Sequence, residues 1–418
     1  MMSGDPISSR RGCSAYLQNI LLGILPFIFF SEFLSLLAFV PSATRGHSDF
    51  RQLYAAAHMI RAGDGHELYE YSAQKTFQDS FVSREEYVLP FLRPAYEALC
   101  FVPLSFMPYP RAYFSFMAVN LFLLLLAARI LRPWTDNLAH VWRWLPLLLF
   151  PAFIPVCVAL MQGQDSIILL TLLATAFAML EQQRDLNAGV LVGLGLFKFQ
   201  LVIPIAALFF ISRRWRFCAG FVFSGAVLAL ISLWITGTPE TVAHIRSLLS
   251  VGAGVGPAPE QFRVPLRVTM MANFRGLVFG IAGAQLAPRT ITVLTVAASA
   301  IVFFIVGLLF YGRRYRRDTF LIAITTSLLV SYYLFVHDVS ILLIPIVIAL
   351  DRFFGEEQAS RDAGWLAVIA LVCFVAPGIL FLSPNSFYLV SLPIAGLLSL
   401  QVRVMSKHTT AVSLHSAL

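Results

Sequence analysis

Charge is what this 418-residue chain has least of: Asp, Glu, Lys and Arg make up 12%, while 58% is hydrophobic. A soluble domain is typically about 25% charged, so a water-soluble enzyme is excluded. Cysteine is scarce too. Cys13, Cys100, Cys157, Cys218 and Cys373 lack the spacing of a metal site, and most lie in apolar runs, so no disulfide framework is expected. Internal repeats and long low-complexity tracts are missing. So are the short alternating segments that a membrane β-barrel requires. What is present is a series of apolar runs, many near the roughly 20 residues that carry a helix across a bilayer. The chain reads as an all-α polytopic membrane protein forming a single integral membrane domain over 1–418. The net charge of +8 does not indicate a nucleic-acid partner, because the basic residues are scattered at helix ends.

Candidate spans fall at 16–40, 110–131, 144–160, 165–181, 187–197 with 200–211, 218–236, 288–311, 318–335, 339–350, 363–382 and 386–402. Arg10 and Arg11 precede the first, which is too long for a cleaved signal segment and is expected to be retained. The stretch 187–211 has Arg184 before it and Arg213, Arg214 and Arg216 after it, so it is expected to go out and return with Lys198 at the far side. About 12 membrane segments result, with both termini inside. Two long loops then face outward. In the first, 41–109, Ser48 is a candidate N-cap, Phe50, Leu53, Tyr54 and Ala57 recur at helical spacing, and Gly63-Asp64-Gly65 ends the helix, which is expected to lie on the outer surface. The mostly apolar segment from Pro94 to Met107 is too short to span and fits an interfacial or re-entrant helix. In the second, 237–287, the Gly/Pro-rich stretch 251–259 precedes Arg263, Arg267 and Asn273-Phe274-Arg275-Gly276, a mobile loop beside a basic motif that suggests a lid.

Ionisable groups at membrane depth are costly and usually mark a substrate or ion path. Asp49 follows the first span; as a helix N-terminal acid it also suits the helix dipole. His337-Asp338 interrupts a long apolar run, where an ordinary tight turn would equally use the Asp. Gln164 and Asp165 begin a helix, with Asp165 as its cap or as a ligand to a polar substrate. Lys198 either snorkels or meets a phosphate as a point charge. Arg93 and Arg275 sit in non-helical contexts beside Pro94 and Gly276, suited to lipid headgroups or to bidentate phosphate binding; Arg267 and Glu97 are weaker candidates.

Taken in order, several motifs resemble those of glycosyltransferase family 87, polyprenyl-phosphate-sugar-dependent membrane enzymes of the GT-C superfamily. They are Asp49 with Tyr54-Ala55-Ala56-Ala57, then Pro94 with Val102-Pro103-Leu104-Ser105-Phe106-Met107-Pro108, then Gly163-Gln164. Gly189 to Gly195 leading to Lys198, Asn273-Phe274-Arg275-Gly276, and His337-Asp338 followed by Leu342, Leu343 and Pro345 complete the series. The chain departs from the family at Leu92-Arg93-Pro94-Ala95, where Tyr-Pro-Pro is frequent, and at His337, where a Tyr is frequent. The resemblance implies a GT-C-type fold in a bacterial inner membrane, working on the periplasmic face. It implies inverting transfer of one sugar, mannose or another hexose or pentose, from a polyprenyl-phosphate donor to a lipid or glycan acceptor. Asp49 would be the general base. Arg275, Lys198, His337 and Arg93 would bind the donor phosphate, and Gln164, Asp165, Asn273 and Asp338 the sugar or acceptor. The scheme calls for no metal and no cofactor; the partners are the donor, the acceptor and membrane lipids. A lipid-linked substrate transporter or flippase, and a lipid-linked glycan ligase, are the competing readings.

Overall fold

A computed structural model describes residues 6–82, 88–252, 267–311, 317–355, 361–383 and 385–416. The chain is helical throughout, in the order α1 (Pro6–Ser42), α2 (Phe50–Ala62), α3 (Tyr71–Gln78), α4 (Ala95–Phe101), α5 (Tyr109–Leu131), α6 (Asp136–Val141), α7 (Leu145–Leu148), α8 (Ile154–Gln162) and α9 (Ser166–Glu181). There follow α10 (Asp185–Leu194), α11 (Phe199–Ile211), α12 (Trp215–Gly252), α13 (Phe274–Ala282), α14 (Pro288–Phe310), α15 (Arg317–Val330), α16 (Leu343–Gly355), α17 (Arg361–Phe381) and α18 (Ser391–Ser416). Among the described residues seven stretches are long and apolar enough to cross a membrane: Tyr16–Ala62, Tyr109–Trp134, Asp185–Ile211, Trp215–Arg246, Pro288–Phe310, Arg361–Phe381 and Phe387–Lys407. This is an integral membrane protein. The remaining apolar segments are shorter, and their geometry explains why.

Three reversals organise the bundle. In the first, α8 ends at Gly163 in the left-handed region (φ 59°) and α9 starts at Ser166. Only glycine suits Gly163 twice over, because a Cβ there would also lie 2.7 Å from Cβ of Phe50. In the second, α10 and α11 meet at Lys198, whose backbone (φ −112°, ψ 52°) leaves the helical range. Arg214 pairs with Asp185 at 3.1 Å, so the chain returns to the level from which it left and the stretch 185–211 is bent, not straight. In the third, α15 runs into the short 3₁₀ segment Val336–Leu342 and α16 comes back, with Arg352 pairing with Asp318 at 2.5 Å. Arg317 and Glu181 at 2.9 Å join the same end. Helices α9, α10, α11, α15 and α16 have 16, 10, 13, 14 and 13 residues. At a rise of about 1.5 Å per residue none of them alone covers a hydrocarbon core of roughly 30 Å. The three turns therefore lie inside the bundle, opposite the ion-paired end.

Over these turns sits a cap made of α2, α3 and α4, and it corrects the expectation of a helix lying on the surface. Phe50, Arg51, Leu53, Tyr54, Ala55, Ala56, Ala57 and Met59 of α2 are all buried. The helix starts one residue later than expected, with Asp49 at its N-cap, and stops at left-handed Gly63 (φ 92°). Ser48 instead hydrogen-bonds the Tyr109 hydroxyl at 2.9 Å. The short helical run 95–106 is present as α4 and a 3₁₀ turn, Val102–Phe106. In the second loop α12 kinks at Gly237 and continues to Gly252, Arg267 is exposed, and the expected lid with Arg263 falls within 253–266, outside the described residues.

Helices α10 and α12 run side by side at very close approach. A Cβ on Gly189 would overlap the Phe217 carbonyl, and one on Gly193 the Ser224 hydroxyl. Small residues four apart allow backbones this close, as in membrane helix pairs generally. Gly189→Leu is expected to lose roughly 1–3 kcal/mol or more from overpacking, read as a lower unfolding midpoint of the purified protein in detergent.

Candidate active site

Each reversal delivers one charged side chain to a common place. Lys198 Nζ lies 3.0 Å from Asp165 Oδ1 and 2.8 Å from Asp338 Oδ1, and all three residues are buried. Ser166 Oγ donates to Asp338 Oδ1 at 3.1 Å, and the Phe335 backbone N–H donates to Oδ2 at 3.1 Å. The cap supplies a second cation. Arg93 forms an ion pair with Asp165, another with Glu97 at 2.8 Å, and donates through Nη2 to Gln164 Oε1 at 2.8 Å. Gln164 in turn donates through Nε2 to Asp49 Oδ2 at 2.5 Å. The Asp49 backbone N–H donates to Gln162 Oε1 at 3.1 Å. Asn120, twelfth of the 23 residues of α5, donates to the Gln164 carbonyl at 3.1 Å. The cluster therefore lies well inside the bundle, not at its outer rim.

Asp49 is held from the other side by hydrophobic packing. Phe50 is fully buried, with ring centroids of Tyr54, Phe101, Tyr109, Tyr113 and Phe116 between 5.4 and 6.3 Å away. Such aromatic clusters pack rigidly, and the neighbouring carboxyl inherits that rigidity.

Of the four acids in the network, Asp49 alone has no cation at ion-pair distance among the described residues. Burial alone would raise the Asp338 carboxyl, but Lys198, His337 and its hydrogen bonds outweigh it and hold it well below the usual carboxylate range. Burial dominates at Glu97 and pushes its carboxyl up, against the opposing pull of Arg93 and Lys198. Burial also lowers His337 to about 4, so the imidazole is neutral at neutral pH.

The remaining candidates stand apart. Asn273 is fully buried and has both amide groups occupied: Oδ1 accepts from the Gly276 N–H at 2.9 Å and Nδ2 donates to the Ser331 carbonyl at 2.7 Å. It caps α13 and ties it to the segment leading to His337. Arg275 stacks over Tyr332 and Tyr333, with its guanidinium carbon 4.1 and 5.0 Å from their centroids, and its buried Nη1 has no hydrogen-bond partner. Lys198 and Arg93, the other two cations of the expected phosphate set, are engaged by carboxylates of the protein. Sequence reasoning passed over Ser166, Gln162 and Asn120. Only Asn120 carried a signal, as a polar residue inside an apolar spanning run.

A helical membrane bundle that buries a network of acids and bases beneath a capping layer defines a class of membrane enzyme, and comparison with known families sharpens it. The family model "Glycosyltransferase family 87" matches residues 91–335, more than half of the chain, and the chain belongs to that family. It is a membrane glycosyltransferase of GT-C type. The matched stretch contains Arg93, Gln164, Asp165, Lys198, Asn273 and Arg275, while Asp49, His337 and Asp338 lie outside it. No curated protein and no solved structure matches the chain.

Removing Lys198 leaves the buried Asp338 carboxylate without its cation and Asp165 with Arg93 alone, and breaking a buried pair in this way typically costs about 3–5 kcal/mol. Lys198→Met is expected to lose that much in detergent unfolding, and to regain most of it when Asp165→Asn and Asp338→Asn are added. His337 gives a pH signature. Its folded-state pKa, about 4, lies below the ordinary 6.5, so the unfolded chain binds the extra proton as pH falls between those values. Stability contributed by the neutral ring is complete above about 6.5 and drains away towards 4, by roughly 3 kcal/mol. In a thermal unfolding series across that window, His337→Gln is expected to flatten this slope.

Proposed function

We propose that the protein transfers a single hexose or pentose from a polyprenyl-phosphate donor to a hydroxyl of a lipid or glycan acceptor, with inversion and with Asp49 as general base. The acceptor O–H attacks the anomeric carbon, its proton passes to Asp49, and the bond from that carbon to the phosphate oxygen breaks with its electron pair leaving on the phosphate. The observation that carries this reading is the state of the four acids. Asp165 and Asp338 are neutralised by Lys198 and Arg93, and Glu97 is paired with Arg93, whereas Asp49 carries only hydrogen bonds and is half-buried, within reach of a substrate. A base must lie within hydrogen-bond reach of the proton it takes.

The donor phosphate is best served by Arg275. Its guanidinium, held by Tyr332 and Tyr333, keeps a buried Nη1 with no hydrogen-bond partner among the described residues, which suits an anion and would stabilise charge developing on the leaving group. Lys198 and Arg93 set the local field without being free to bind bidentately. Asp165 and Asp338 border the place where sugar hydroxyls would lie.

The test is product formation from a panel of polyprenyl-phosphate-linked hexoses and pentoses with membrane lipid extract as acceptor, followed by mass spectrometry. Wild type is expected to add one sugar, and Asp49→Asn to be at least about 100-fold slower. Full activity in Asp49→Asn rejects the base. Transfer of a whole oligosaccharide rejects the single-sugar reading in favour of a ligase.

A further inference from the structure

Behind Asp49 runs a chain of hydrogen bonds whose direction is fixed by chemistry. A guanidinium has five N–H donors and no acceptor, so the atom of Gln164 that faces Arg93 must be its carbonyl oxygen. The amide nitrogen must then point the other way, at Asp49, and an ionised carboxylate can only accept. Arg93 cannot turn to release the amide, because Nη1 is shared by Glu97 and Asp165, both almost wholly buried. Gln164 cannot move as a residue either. Its backbone carbonyl accepts from Asn120 Nδ2 and its N–H donates to the Ala159 carbonyl at 2.8 Å. One turn therefore grips Asp49 twice, through Gln162 at the backbone and Gln164 at the side chain.

We propose that Gln164, oriented by Arg93 and Glu97, is the positioning residue of the reaction: it engages Oδ2 of Asp49 and leaves Oδ1 directed at the acceptor hydroxyl. This deepens the reading of Asp49 as base and rests on it. Gln164 touches neither the reacting carbon nor the acceptor in this role; it acts through Asp49. Glu97 acts one step further back, by keeping the guanidinium in the plane from which it reaches Gln164. A carboxylate that loses such a tether samples other rotamers, and a misplacement of about 1 Å at a reacting group costs on the order of 100-fold in rate.

The experiment is a double-mutant cycle on the purified full-length protein in detergent, with undecaprenyl-phosphate-linked sugars as donors and lipid extract as acceptor. Each variant is first checked for folding by its thermal unfolding midpoint. Gln164→Leu alone is expected to lower kcat about 10- to 100-fold with little change in KM for the donor. In the Asp49→Ala background the same substitution is expected to cause no further loss, because it has no base left to orient. A double variant slower than Asp49→Ala by the full single-mutant factor overturns the inference and leaves the base standing. Wild-type rates in Asp49→Ala reject the base itself, a separate result. Should Gln164→Leu fail to fold, Arg93→Lys serves in the same cycle. It keeps a positive charge beside Asp165 but lacks the fork that holds Glu97, Asp165 and Gln164 together, and additivity with Asp49→Ala would again sink the proposal.

Discussion

One ammonium group between two carboxylates is the constraint on which the site depends. Lys198 stands at the bend of α10 and α11, Asp165 at the turn before α9, and Asp338 in the 3₁₀ segment before α16. None of these turns is tolerable alone at membrane depth, because each would bury a bare charge and several unsatisfied backbone groups. Together they neutralise one another. Ser166 and the Phe335 N–H then occupy lone pairs that Lys198 leaves open on Asp338. Replacing one partner breaks this mutual compensation, whereas replacing all three with apolar groups need not, the usual asymmetry of buried ion pairs.

The cap adds a second kind of order. Its aromatic cluster around Phe50 holds α2 against α5, while Arg93 reaches down and joins the cap to the three turns. Asp49 sits at the seam between these layers. It is fixed by packing on one side and by amides on the other. On the proposed reading, a carboxylate held in this way needs little rearrangement to meet an acceptor hydroxyl, which is where preorganised sites draw their advantage.

Much of this was legible in the amino-acid sequence, for physical reasons. Arg184 and the arginines after 211 required the intervening stretch to return to its origin, and the Asp185–Arg214 pair lies where that argument puts it. Acids and bases at apolar runs pointed to Asp49, Asp165, Lys198 and Asp338 because charge at membrane depth is costly and usually marks a functional path. What was not legible is who pairs with whom. The spacing of Lys198 and Arg93 carries no information about the carboxylates that the fold brings to them from other turns, Asp165 for both and Asp338 for Lys198. The burial of α2 was hidden for a similar reason: an amphipathic pattern does not say whether a membrane or another helix covers the apolar face. Nor does an asparagine in a helix start, such as Asn273, reveal that besides capping it bonds the distant Ser331 carbonyl.

The three bent, short helix pairs also bear on how the chain is made. Residues 49, 93, 165, 198 and 338 must all have emerged before the cluster can close. Before Asp338 arrives, Lys198 and Asp165 can already compensate each other, but the Ser166 and Phe335 hydrogen bonds that fix the third reversal cannot form. The last turn therefore docks its carboxylate onto an ammonium already held by the earlier two. The finished cluster is a record that the whole bundle has assembled.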